Sequence, residues 1–226
     1  VSNIRRLGDE DQVFALVMPI GSAALQGAWD YIEEKNLPTF GPVLPPNPDI
    51  EPVYMLGTSH ENQGRVIVDA LVEQGHESVG IIQNDNDLGN EIAEGVRAQA
   101  ESVGMEFVGS EFIEPGSTDV AAATMNMRNN DPDAVVFGTA SGTAALVMNH
   151  ADGLGWAPRW AGDSSTASAG GPHLYQVSGD AAVGTIGTMI TELPSSDTPE
   201  VAEYRDMMER RAPDEVDSAF ALQAYA

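Results

Sequence analysis

The sequence has no cysteine, which excludes disulfides, thiolate nucleophiles and thiolate metal sites. It has one lysine, Lys35, and counting arginine only 10 basic residues stand against 35 acidic ones. A formal charge of −25 repels phosphate backbones, so no nucleic-acid partner is expected. No apolar run in the chain nears the roughly 18 residues that span a bilayer. No apolar leader is visible either. The chain opens at Val1 inside a helical pattern and closes in another, "DSAFALQAYA". It reads as a fragment cut at both ends, so the missing targeting segment carries no information.

What is present suits a folded α/β protein. Hydrophobic residues make up 42% of the chain, enough for a packed core, and 23 Gly and 14 Pro supply many short connections. The carboxylates are dispersed rather than gathered in a tail. That pattern fits adaptation to high salt, where counterions screen self-repulsion. An acidic protein from an arginine-preferring genome would look the same, and both readings stay open.

Short apolar runs alternate with amphipathic stretches. Strands are expected at Val13–Val17, Leu37–Phe40, Val53–Leu56, Val79–Gln83, Phe107–Ile113, Ala134–Gly138, Arg159–Gly162 and Val183–Met189. Helices are expected from Ser22 to about Lys35, Ser59 to Glu73, Asn90 to Val103, Asp119 to about Asn129, Thr143 to Leu154 and Pro199 to Arg211, with a helical turn at His173–Val177. Gly104 stops the third of these. Between Gly41 and Pro52 the prolines resist helix. Such alternation implies parallel sheets covered on both faces, with ligands bound beyond the carboxyl ends of the strands.

The strand-to-helix loops are therefore the places to search for chemistry. In "MPIGS", Gly21 lets backbone approach a ligand and Ser22 sits at a helix N-terminus suited to anions. Ser22 serves equally well as a plain helix cap. The acid spacing in "NDNDLGNE" is broken by Leu88 and Gly89, so it does not make a calcium loop. "FGTASGT" lacks the glycine spacing of a nucleophile elbow, since Gly142 directly follows Ser141. "GDSS", at Gly162–Ser165, has no late Asp-x-x-His partner for a serine esterase. His60, His76, His150 and His173 stand apart in sequence without metal-ligand spacing, and surface or capping roles are expected of each. Arg5 and Arg6 precede no apolar region and are not a twin-arginine signal. No acid–base pair, triad or phosphate loop assembles, so no enzyme, cofactor or metal is expected.

The order of these segments resembles the type I periplasmic binding proteins, the branched-chain amino-acid-binding family of ABC transporters. The resemblance is carried by "DEDQVFALVMPIGSAALQGAWDYIEEKNLPTFGP", "ENQGRVIVDALVEQG", "VGIIQNDNDLGNEIAEGVRAQAESVGMEFVGSEFIEPGSTD", "DPDAVVFG", "GDAAVGTIGT" and "DTPEVAEYRDMMERR". It implies two Rossmann-like lobes with parallel sheets, joined by crossovers and closing by hinge motion. Residues 1–56 and 191–226 would form a partial first lobe and residues 57–190 a complete second one.

By that resemblance the serine that holds the ligand's carboxylate is Ser22, flanked by Gly21 and Ala23. The loop gripping an amino-acid head corresponds to Val43 and Leu44, with Pro45 where the family has threonine. Leu88 takes the place of a closing tyrosine, and Ala140 and Ser141 follow the "AVVFG" strand. Ser164 replaces the acid that pairs with the ammonium, with Asp163 beside it, and Phe220 matches an aromatic of the returning segment. These replacements point away from an α-amino acid and toward an organic or aromatic acid, an amide or another polar solute. The implied protein is an extracytoplasmic, monomeric solute-binding protein serving a membrane permease. A ligand-sensing regulatory domain of the same fold is the alternative, and a hydrolase using Ser164 a third reading.

Overall fold

The computed structural model describes residues 1–19, 25, 27–41, 50–54, 58–168, 171–218 and 221–222. Contacts divide the chain into two units, Val1–Ser59 and His60–Ala226.

In the first unit, α1 (Ser2–Asp9) and α2 (Trp29–Glu34) accompany three short strands, β1 (Leu16–Val17), β2 (Thr39–Phe40) and β3 (Val53–Tyr54). The strands pair in parallel in the order β1-β2-β3, with Leu16 opposite Thr39 and Thr39 opposite Val53. Ile4, Leu16, Leu25, Trp29, Ile32 and Leu37 form their shared core. The first strand is shorter than its apolar run. The Val13 amide donates to the Leu7 carbonyl and so closes α1, while Phe14 is 87% exposed. The strand at Leu37 also starts late, because the Leu37 amide donates back to Ile32 and Pro38 has no N–H to give.

The second unit has a fully parallel sheet of order β5-β4-β6-β7-β8. Its elements are α3 (His60–Glu73), β4 (Ser78–Asn84), α4 (Asp87–Val103), β5 (Glu106–Ile113), α5 (Ala121–Asn130), β6 (Ala134–Gly138), α6 (Ser141–Gly153), β7 (Arg159–Gly162), a π-type turn (Ser164–Ser168), α7 (Gly171–Ser178) and β8 (Ile186–Gly187). The central strands β4 and β6 are buried along almost their whole length, as strands covered on both faces must be. Alternate residues feed two cores. Ile82, Val135 and Phe137 pack with Met127, Met148 and Trp160 on one face. Val79, Ile81, Ala134 and Val136 pack with Ile67, Leu71, Ile92 and Val96 on the other. Each unit is thus α/β with a parallel sheet, as the alternation of runs implied.

Local chemistry sets the helix ends. Asn86 caps α4, its Oδ1 accepting the Gly89 amide at 3.0 Å. The helix therefore starts at Asp87, three residues before the expected Asn90, which instead accepts a bond from the Gln83 side chain. Gly104, at φ 76°, ends it in the left-handed conformation. Two glycines let α3 and α4 touch backbone to backbone. A Cβ on Gly64 would lie 2.6 Å from the Ile92 carbonyl oxygen, and one on Gly95 would collide with the Glu61 carbonyl.

Toward the C-terminus the expected strand at Val183–Met189 shrinks to Ile186–Gly187. Gly184 has φ +85°, and Thr185 folds back on the Ala182 carbonyl through both its amide and its hydroxyl. That turn consumes the start of the run. Last comes α8 (Pro199–Arg211), with proline in its first turn. The second unit extends through residues 191–226. Within that unit Val201, Tyr204, Met208 and Leu222 make a small core of their own.

Candidate functional site

Strands β4, β6 and β7 all end at one edge of the second unit's sheet, and three of the expected loops follow them. Gly21, Ser22, Ala23, Val43, Leu44, Pro45 and Phe220 lie outside the described residues. The site can be built from the second unit alone.

Leu88 sits in the first turn of α4, half-buried against the core beneath α3 and α4. Ala140 is the exposed N-cap residue of α6, and Ser141 is its half-buried first residue. Leu88 and Ala140 border the same cavity of about 560 Å³, at the carboxyl edge of the sheet. Its walls also include Pro115, Thr143, Leu146 and His173.

Asp163 does not face solvent. Its carboxylate is fully buried and its acceptors are taken by this unit's own groups. The Ser165 hydroxyl donates to both oxygens at 2.9 Å, and the Thr166 amide donates to Oδ1 at 2.9 Å. Nδ1 of His60 lies 3.1 Å from Oδ2, at ion-pair distance though not aligned as a hydrogen bond. Burial alone would raise the carboxyl's pKa. The His60 imidazole and the bonds from Thr166 and Ser165 outweigh burial and hold it below its ordinary 3.8. Asp163, expected beside the position that pairs with an ammonium, is thus an acid whose oxygens are engaged within the unit.

Ser164, half-buried, opens the π-type turn and donates its amide to Gln63 Oε1 at 3.0 Å. The same oxygen accepts the Thr188 hydroxyl at 2.7 Å. Loops after β6 and β7 are tied by a bond from the Thr166 hydroxyl to the Thr139 carbonyl. Beside this cluster Glu91 is half-buried, with one carboxylate oxygen buried and unbonded. Burial raises its pKa, His60 opposes the rise, and Asp87, Glu61 and Glu94 add to it.

Sequence reasoning gave His60 a surface or capping role, and the structure rules out the surface one: its side chain is 6% exposed. A lone histidine whose partner lies across the sheet leaves no spacing to find. Gln63, Thr143 and His173 were missed for the same reason. An Asp–His pair invites comparison with hydrolases, but Nε2 of His60 is buried and unbonded, and the Ser165 hydroxyl points its proton at Asp163. No serine is set to pass a proton to that imidazole among the described bonds. Among the described residues no group of three or more metal-ligating side chains converges, and no helix is long and apolar enough to cross a membrane.

The geometry can be set against known proteins. No curated protein sequence gives a significant match. Among solved structures, a possible leucine/isoleucine/valine-binding protein from Rhodopirellula baltica SH 1 superposes with TM-score 0.87 at 23% identity, over 99% of this chain and 62% of its own. A branched chain amino acid ABC transporter protein from Thermus thermophilus, with bound valine, gives 0.80 at 20% identity, over 99% and 60%. A leucine binding protein from Thermotoga maritima MSB8 gives 0.86 at 18% identity, over 99% and 64%. The chain thus spans less than two thirds of these structures, and at such identities they share its fold. A sequence model of the periplasmic binding protein family matches residues 1–226, and the chain belongs to that family.

Proposed function

We propose that the protein is the solute-binding component of an ABC importer. It works outside the cytoplasm, hands a small polar or carboxylate-bearing solute to a membrane permease, acts as a monomer and catalyses no reaction. The observation that carries this reading is the family match along residues 1–226, joined to a cavity bordered by Leu88 and Ala140 where such folds bind ligands. Ser22, with Gly21 and Ala23, holds the ligand's carboxylate, and Val43, Leu44, Ser141, Ser164 and Phe220 contribute to its enclosure. Residues 1–56 and 191–226 share one lobe in the whole protein.

The relatives named above include valine- and leucine-binding proteins. Here the ligand is an organic or aromatic acid or an amide, because Pro45 and Ser164 stand where the resemblance expects a threonine and an acid, and Asp163 is engaged by His60, Ser165 and Thr166. A buried ammonium without a partner would be costly. Calorimetric titration of the full-length protein with leucine, valine, aromatic acids and amides tests this. Binding of an acid or amide, weakened by about 1–3 kcal/mol in Ser22→Ala, is expected. Tight leucine binding would overturn the ligand class, and no binding across the panel would overturn the function.

A further inference from the structure

Two residues one helical turn apart at the start of α3 hold two consecutive residues that follow β7. His60 faces Asp163 at 3.1 Å, and Oε1 of Gln63 accepts the Ser164 amide at 3.0 Å. Gln63 is buried, at 3% exposure. A backbone amide can only donate, which fixes the side-chain oxygen of Gln63, and not its nitrogen, toward Ser164. The same oxygen accepts the Thr188 hydroxyl at 2.7 Å. One atom therefore joins α3 to two segments that lie 101 and 125 residues away in sequence.

The base of this junction is fixed. At Gly64 and Gly95 the helices α3 and α4 lie so close that a Cβ on either would meet a carbonyl oxygen of the other helix. What the junction holds is a π-type turn, Ser164–Ser168, a rare geometry. Further ties run from the Ser165 hydroxyl and the Thr166 amide to Asp163, and from the Thr166 hydroxyl to the Thr139 carbonyl. Gln63 connects this turn to the places where the chain enters the unit, after Ser59, and leaves its sheet, after Gly187.

We propose that Gln63 is a positioning residue, which sets solute affinity by fastening the Ser164 turn to the end of β8 and not by contact with the solute. Under the solute-binding reading, on which this rests, Ser164 helps enclose the ligand. An amide that loses its buried acceptor turns to water instead. The turn then populates several conformations, of which the solute selects one. Affinity falls with the fraction of molecules still in that conformation. A residue of purely structural use would lower the thermal midpoint and leave affinity alone.

The test is calorimetry on the full-length protein with leucine, valine, phenylacetate and phenylacetamide as probes. Gln63→Met, which removes both bonds, should weaken the best probe roughly tenfold, and Thr188→Val, which removes one, about threefold. Thr188→Ser keeps the hydroxyl and should bind like the parent. The double variant should be no weaker than Gln63→Met, since both changes break one junction. Hydrogen exchange read by mass spectrometry probes the junction with no solute present. In Gln63→Met the peptide spanning Ser164–Ser168 should exchange faster while β5 does not change. Thr188→Val, at a half-buried position, decides the matter alone if Gln63→Met does not fold. Parent-like affinity in Thr188→Val, or an equal loss in Thr188→Ser, overturns the proposal while solute binding stands. Unchanged exchange at Ser164–Ser168 in Gln63→Met overturns it too. If no probe binds the parent, the solute-binding reading falls, and the role of Gln63 with it.

Discussion

His60, in the first turn of α3, and Asp163, at the end of β7, face each other across 3.1 Å with both side chains shut off from water. Breaking a buried pair from one side strands the other charge, which costs about 3–5 kcal/mol. We expect His60→Leu to destabilise the full-length protein by that order in urea unfolding, and the double variant with Asp163→Leu to recover part of the loss. A loss within the ~0–1 kcal/mol typical of exposed pairs would show that the contact carries little. The pair also fixes an acid limit. The Asp163 carboxyl is depressed in the folded state, so its contribution is present above its ordinary value of 3.8 and disappears as pH falls through the lower folded value.

Glu91 behaves in the opposite sense. Burial raises its pKa, so between its ordinary 4.5 and the folded value the native state holds a proton that the unfolded chain has released. Stability from this group falls as pH rises through that window and stays reduced above it. Glu91→Gln should therefore raise the thermal midpoint at neutral pH and confer no advantage at pH well below 4.5. A midpoint that drops at pH 7 would mean the carboxylate makes a favourable contact in the whole protein.

The close crossing of α3 and α4 predicts a steric cost. Gly95→Ala would press a methyl group into the Glu61 carbonyl, and the two backbones would have to separate. Overpacking of this kind costs about 1–3 kcal/mol, measurable by denaturant unfolding. Gly153→Ala, with nothing within 4 Å of the new methyl, is the matched control and should be neutral or stabilising. Equal effects at the two sites would mean the helices slide apart freely.

If the net charge of −25 is an adaptation to salt, unscreened carboxylates should push the folded protein apart in dilute buffer. The thermal midpoint of the full-length protein should then climb from low to molar KCl. A flat or falling curve would make the charge incidental.

How far the sequence could be read depended on the range of the interaction. Val79–Gln83 and Ala134–Gly138 were legible as strands because being covered on both faces demands unbroken apolar runs. Gly104 was legible as a helix stop because its φ of 76° suits glycine. Val13 and Val183–Thr185 misled, since apolar character says nothing of where an amide goes; theirs or their neighbours' close turns. The site was least legible. His60 meets Asp163, and Gln63 meets Ser164 and Thr188, only after the sheet has formed. Ala140 and Leu88 were named by resemblance, and only coordinates put them on one cavity with Thr143 and His173.

The strand order β5-β4-β6-β7-β8 has a consequence for how the second unit is made. After β4 and β5 pair, β6 takes the free side of β4, β7 the free side of β6, and β8 the free side of β7. No strand has to be threaded between two that are already joined. Each segment leaving the ribosome finds its neighbour waiting, so this half of the molecule can grow outward from β4 in the order in which it is synthesised.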